Sequence, residues 1–271
     1  MKMIVTDLDS TLLRNDKTIS RYTIDTFRRL QENGVKIVIA TARPKRVAKD
    51  YIGAINADAA ILHNGAVIYV GDNHFCSFSI PNKVAVDILQ KTAAQYPEMY
   101  ISVEINDMLY ANFEIPAPDW ANVRTDFTDL PDMPADKMLF SIGNITNPAE
   151  SKNNADGMAS LKAIQSMLTD NFNAILGEGW LLMVMNKLAC KYQGVKEVSA
   201  YFGLTPADVI AFGDDINDIE MLKNCGIGVA VANAIDEVKA AADFVCESNE
   251  NDGVAKWLEE KIYPLISHPR V

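Results

Sequence analysis

Three short runs, each almost continuously apolar and each stopped by polar side chains, most narrow what this chain can fold into. They are Met3 to Thr6, ending at Asp7; Val35 to Ala40, ending at Thr41; and Val209 to Phe212, ending at Gly213 and Asp214. β-branched runs of this length without polar alternation are strands buried on both faces, as in a parallel sheet covered by helices. The intervening segments supply those helices. Ser20 is a good N-cap, Ile19 is placed for a staple to Ile24, and Ile24, Phe27 and Leu30 keep helical spacing until Gly34 stops the pattern. Ala59 to Leu62 is a further short run, followed by the turn-prone pair Asn64-Gly65. In the C-terminal third, helical patterns at Lys191 to Tyr201, after Gly213 through Leu222 and at about Ala234 to Ala241 alternate with strands at Gly226 to Val231 and Asp243 to Val245. This alternation predicts an α/β fold: a Rossmann-like parallel-sheet core with helices on both faces.

The middle of the chain reads differently. A helix over Lys83 to Gln95 is followed by alternating strands such as Tyr100 to Ile105, then a proline-rich stretch from Pro116 to Pro134. Lys137 to Ile142, a helix over Ala159 to Leu168 and Trp180 to Met185 complete it. Strands grouped beside helices predict an inserted α+β cap. The expected division is a core from 1–81 and 187–271, with the cap at 82–186.

Composition limits the partners. With a formal charge of -11 over 271 residues, the chain lacks the basic face that nucleic acid requires. Small phosphorylated metabolites remain open, because they respond to the local field of a pocket. The start reaches Asp7 too early for the apolar core of a signal peptide, and no apolar run approaches the length of a membrane span. Cys76, Cys190, Cys225 and Cys246 show neither CxxC pairing nor metal-ligand spacing. A cytoplasmic protein without a membrane partner is the expectation; its oligomeric state is not legible.

Four polar clusters carry the candidate chemistry. Asp7 and Asp9 follow the first strand, where ligands of open parallel sheets bind, and two carboxylates there can serve as nucleophile and acid/base. A DxD pair is also a common turn. Thr41, with Arg43 close behind, can hold a phosphate oxygen at a strand end, or simply cap the helix beginning near Pro44. Gly213 to Asp218 places Asp214, Asp215, Asn217 and Asp218 together; such hard oxygen donors select magnesium, although an acidic helix N-terminus looks the same. Lys191 opens a helix against its dipole, which a carboxylate cluster with bound phosphate would offset. Each cluster ends a strand or opens a helix of one sheet, so all four can meet at one edge. His63 lies on that edge too, with packing as its reading, as it is for Tyr110, Glu114 and Trp120 of the cap.

With these residues in view, the chain resembles the haloacid dehalogenase-like hydrolases, and closely the Cof-like branch of sugar-phosphate phosphatases, subfamily IIB, whose cap is of the C2 type. Asp7-Leu8-Asp9-Ser10-Thr11 is similar to the family motif DxDxT, Ile39 to Arg43 to the second motif, and Gly213 to Asp218 to GDxxND. The resemblance continues through Val229 to Ala234 and Asp252 to Ala255. It implies a magnesium-dependent phosphatase working through an aspartyl-phosphate. Asp7 would be nucleophile and magnesium ligand, and Asp9 acid and base as well as a ligand through its carbonyl. Asp214 would ligate magnesium, with Asp218 and Asp215 behind it. Thr41, Ala42, Arg43 and Asn217 would bind substrate, and Lys191 would balance the phosphoryl charge. Ser10 and Ala42 stand where the family usually has glycine, and Met185 to Lys191 lacks the usual proline and glycine, which leaves Lys187 as the alternative lysine. A phosphomutase and a non-catalytic phosphometabolite sensor are the competing readings.

Overall fold

The computed structural model describes residues 2–114, 122–142, 155–168, 170–177 and 180–266. In chain order these form β1 (Met3–Thr6), α1 (Arg21–Glu32), β2 (Lys36–Ala40), α2 (Lys45–Ala54), β3 (Ala59–Leu62), β4 (Val67–Val70) and β5 (Asn73–Ser77). There follow α3 (Asn82–Gln95), β6 (Tyr100–Ile105), β7 (Met108–Ala111), β8 (Asn122–Arg124), β9 (Lys137–Ser141), α4 (Ala155–Met167), β10 (Phe172–Gly177) and β11 (Leu181–Asn186). The last part holds α5 (Lys191–Tyr201), β12 (Val209–Gly213), α6 (Ile219–Asn224), β13 (Ile227–Val231), α7 (Asp236–Ala241), β14 (Phe244–Cys246), α8 (Gly253–Lys261) and α9 (Tyr263–Ile266).

The chain folds as two compact units. The first takes Met1–Arg43, Ala48–Cys76 and Cys190–Val271; the second takes Pro44–Val47 and Ser77–Ala189. The first is built on an eight-stranded sheet in the order β14-β13-β12-β1-β2-β3-β4-β5. β1 lies between β2 and β12, parallel to both, and every residue of β1 is buried. The apolar runs are therefore central strands buried on both faces, with helices on both sides of the sheet. α1 begins as its sequence dictates, with the Ser20 hydroxyl accepting from the Thr23 N–H at 3.0 Å. One feature departs from a purely parallel sheet: β4 runs antiparallel to β3. Only the His63–Gly65 turn and Ala66 separate the two, too little chain for a crossover but enough for a reversal.

The second unit is an α+β layer pair. Its six-stranded sheet runs β10-β11-β9-β6-β7-β8 and is mostly antiparallel. Alternation along the strands sends Ile101, Val103, Met138, Phe140, Leu182 and Val184 into a core shared with Leu89 of α3 and Leu161 and Ile164 of α4. Tyr110 packs partly buried against this core, while Trp120 lies outside the described residues. Among the described residues no helix is long and apolar enough to cross a membrane.

Candidate active site

Parallel strands deliver the site because their C-terminal ends lie side by side. The register Thr6↔Phe212 is extended one step by the Asp7 N–H donating to the Phe212 carbonyl at 3.1 Å. Asp7 thus leaves β1 next to the chain that goes on through Gly213 to Asp214. Beyond Asp7 the backbone turns sharply through Leu8–Leu12, with Ser10 in the left-handed region at φ 59. That is the position where glycine is usual in the resembled motif, and serine takes the same conformation here, its carbonyl held by the Asn233 side chain at 2.7 Å. The turn directs Thr11 back, and its hydroxyl donates to Asp214 Oδ1 at 2.6 Å. Thr11 thus joins the first and third motifs.

Lys191 is the centre of the cluster. It opens α5 and is 1% exposed, and its Nζ donates to Asp7 Oδ1 at 2.6 Å and to Asp218 Oδ1 at 2.7 Å. An ammonium at a helix N-terminus opposes the dipole, and the two carboxylates supply the compensation. Lys187 is exposed and belongs to the second unit. Asp218 is wholly buried; its second oxygen accepts from the N–H groups of Asp214 and Asp215 at 3.0 and 3.2 Å, which pins the turn after β12. Gly213 permits this: a Cβ there would sit 2.4 Å from the Asp218 Cβ. Asp215 is exposed and caps the same turn, accepting from the Ile216 N–H at 2.8 Å.

Carboxylate oxygens of Asp7, Asp214 and Asp218 lie within 4.8 Å of one another. One ammonium cannot balance three carboxylates. Burial, reinforced by the neighbouring carboxylates, raises Asp7 well above the ordinary range despite Lys191. Desolvation likewise pushes Asp214 up to about 6, against the hydroxyl of Thr11. Lys191 moves up as well: its burial favours the neutral amine, but Asp218 and Asp7 outweigh that. Both Asp218 oxygens are spoken for, whereas Asp7 Oδ2 and Asp214 Oδ2 accept no hydrogen bond among the described residues. Two unused hard oxygens in an under-neutralised, buried cluster fit a small divalent cation.

Asp9 is held differently. Its Oδ2 accepts from Arg43 Nε at 2.6 Å, and its Oδ1 from Arg43 Nη2 at 2.6 Å and Lys17 Nζ at 2.8 Å. Partial burial pushes its carboxyl up, but these two cations outweigh the burial and hold it below the ordinary range. Arg43, expected to bind substrate, is thus engaged with the acid/base candidate, and it stacks on Tyr51 at 5.1 Å. Thr41 is buried, its hydroxyl accepting from the Arg43 N–H at 3.2 Å, and Ala42 is half-buried on the same loop. Asn217 Nδ2 donates to Asn64 Oδ1 at 2.9 Å. Asn64 was legible only as half of a turn dipeptide, since nothing in sequence announces a turn side chain that reaches another loop.

A family model described as haloacid dehalogenase-like hydrolase matches residues 4–258. The chain belongs to that family. It is an enzyme of the haloacid dehalogenase-like class, and its core with an inserted α+β unit is the architecture of the Cof-like, subclass IIB members. A Bacillus subtilis relative named 5-amino-6-(5-phospho-D-ribitylamino)uracil phosphatase YitU is 29% identical over 95% of this chain and 96% of its own. The crystal structure of a haloacid dehalogenase-like hydrolase from Bacteroides thetaiotaomicron superposes with a TM-score of 0.80 at 26% identity, covering 96% of this chain and 98% of that one. A second solved structure from the same organism, a phosphatase of this superfamily, gives 0.79 at 25% identity, covering 96% and 94%.

Proposed function

We propose that this hydrolase is a magnesium-dependent phosphatase of small phosphate monoesters, sugar phosphates or related metabolites, acting through Asp7. The observation that carries the reading is the clustering of the Asp7, Asp214 and Asp218 carboxylates within 4.8 Å of one another, with the buried Lys191 ammonium donating to Asp7 and Asp218 and, among the described residues, an unused oxygen on Asp7 and another on Asp214. The named activity of the Bacillus relative, a phosphatase of a phosphoribityl compound, supports the substrate class.

Asp7 and Asp214 would hold magnesium, which when bound supplies positive charge to the phosphoryl oxygens. Asp7 attacks phosphorus with a carboxylate oxygen, the ester P–O bond breaks, and Asp9 gives its proton to the leaving oxygen. Water then attacks phosphorus, Asp9 takes the water proton, and the bond to Asp7 breaks to release inorganic phosphate. Lys191 offsets charge on the phosphoryl group, while Thr41 and Asn217 orient it. Asp9 stands here in its base form, ready for the second half-reaction; in the first, its contacts with Arg43 and Lys17 have to loosen. Asp218 and Thr11 position Lys191 and Asp214.

The test is phosphate release from a sugar-phosphate panel, with magnesium and with chelator. Wild type should turn over only with the metal. Asp7→Asn should lose at least about 1,000-fold in kcat, as removal of a covalent nucleophile does. Acid-quenched wild type should carry phosphate on the peptide containing Asp7. Metal-independent turnover, or an Asp7→Asn protein that still works, would sink the reading.

A further inference from the structure

Between β3 and β4 the chain reverses through a left-handed turn. His63, Asn64 and Gly65 are successive residues in the left-handed region, with φ of 50, 56 and 100. Asn106 and Asp107 turn the β6–β7 hairpin with the same left-handed pair, so what sets this turn apart is its contacts. Each residue of the tripeptide touches a different part of the site. The His63 N–H donates to the Arg43 carbonyl at 3.2 Å, and the Asn64 N–H to the Thr41 carbonyl at 3.0 Å. A Cβ on Gly65 would lie 2.2 Å from the carbonyl oxygen of Cys190, the residue before Lys191. The Asn64 carboxamide, 1% exposed, accepts from Asn217.

A second, independent observation concerns the two amides. Asn64 Nδ2 and Asn217 Oδ1 are both buried, and neither has a hydrogen-bond partner among the described residues. Buried amide groups are nearly always satisfied, so a pair left half-made is a feature to explain. In the bond between them Asn217 is the donor and Asn64 the acceptor. With one N–H of Asn217 committed to Asn64, its other N–H is left for an incoming acceptor. A phosphoryl oxygen only accepts. If the Asn217 amide turned over, its carbonyl oxygen would face that group and repel it.

We propose that Asn64 is a positioning residue of the phosphoryl site, its carboxamide setting the orientation in which the Asn217 amide donates to the transferring group. This rests on the phosphatase reading above. A double-mutant cycle tests it, using p-nitrophenyl phosphate with magnesium as the probe and thermal melting as a check on folding. Asn64→Gly keeps the left-handed backbone while deleting the amide. It should lower kcat about 10- to 100-fold with little change in KM, because it removes orientation rather than a contact to the ground state. Because Asn64 acts through Asn217, the Asn64→Gly/Asn217→Ala double variant should be no slower than Asn217→Ala alone. Equal losses from Asn64→Gly in both backgrounds, or wild-type kcat in Asn64→Gly, would overturn the inference while leaving the phosphatase reading intact. An inactive wild type would overturn both. Should Asn64→Gly not fold, the side-chain 1H–15N resonance of Asn217 in the wild type decides: it should shift when orthovanadate and magnesium are added, and an unmoved resonance would count against the assignment.

Discussion

Lys191 shows how one side chain can be decided by its neighbours rather than by its own sequence context. Of two lysines, Lys191 is favoured in the sequence because it opens a helix and Lys187 is the alternative; only Lys191 has Nζ within 2.7 Å of two carboxylates. Deleting one member of a buried ionic cluster leaves the others uncompensated, at about 3–5 kcal/mol. Lys191→Met, which keeps the volume and removes the charge, should therefore lose about 100-fold or more in kcat and melt lower, whereas Lys187→Ala should match wild type in both. Steady-state kinetics and melting curves on the two proteins check this, and a Lys191→Met enzyme within tenfold of wild type would contradict it. Arg43 teaches the complementary lesson. An arginine two positions after a threonine at a strand end invites a substrate role, yet a planar fork beside a carboxylate pairs with it first, at 2.6 Å on both oxygens. Its partner could not be read from sequence because Asp9 lies 34 positions away.

At the scale of elements, the central strands were legible because their burial on both faces is written in continuous apolar runs. Met3–Thr6, Ala59–Leu62 and Lys191–Tyr201 form with the ends their residues suggest. The hairpin strand β5 was not anticipated: its residues, Asn73–Ser77, are mostly exposed, so there is no buried face to imprint a pattern. The stretch that follows Gly213, through Leu222, reads as one helix but forms a tight turn over Ile216–Asp218 before α6 starts at Ile219. Asp218 explains the break. Its carboxylate folds back onto the N–H groups of Asp214 and Asp215, a local bond that competes with helix formation. Gly213→Ala tests how tightly this turn is packed. A methyl group 2.4 Å from the Asp218 Cβ cannot be accommodated in place, so Asp218 would shift and take Lys191 with it. The expected result is a loss of about 2–4 kcal/mol in stability together with a fall in kcat, read by denaturant titration and by phosphate release. A fully active, fully stable Gly213→Ala protein would show that the turn has slack.

At the scale of the whole molecule, each unit has its own core, so each can carry its own charge problem. For the first unit the proposed remedy is a divalent cation at Asp7 and Asp214. The second has Asp136, which is 8% exposed and accepts from the Ser79 hydroxyl at 2.8 Å. Desolvation pushes its carboxyl up to about 6, with the charges of Glu104 and Asp107 adding to the rise and Ser79 opposing it. Lys137 and the Arg46–Glu104 pair lie in the same buried cluster. A carboxyl whose folded value exceeds its unfolded value binds its proton more tightly in the native state. Its contribution is fully present below pH ~4 and is lost as pH rises through about 6. Above that, the ionised Asp136 costs at most about 3 kcal/mol, with about 1–2 kcal/mol expected after local relaxation. Asp136→Asn retains an acceptor for Ser79 and cannot ionise. It should melt higher than wild type at pH 8, show no advantage at pH 4, and leave kcat untouched because Asp136 belongs to the unit without the carboxylate site. Magnesium should behave oppositely: at 100 times its Kd it adds about 2.7 kcal/mol, acting through Asp7 and Asp214 and therefore equally in wild type and Asp136→Asn. Calorimetry of both proteins at the two pH values, with magnesium and with chelator, separates the two effects. If the Asn variant gained as much at pH 4 as at pH 8, packing rather than ionisation would be the source of its stability.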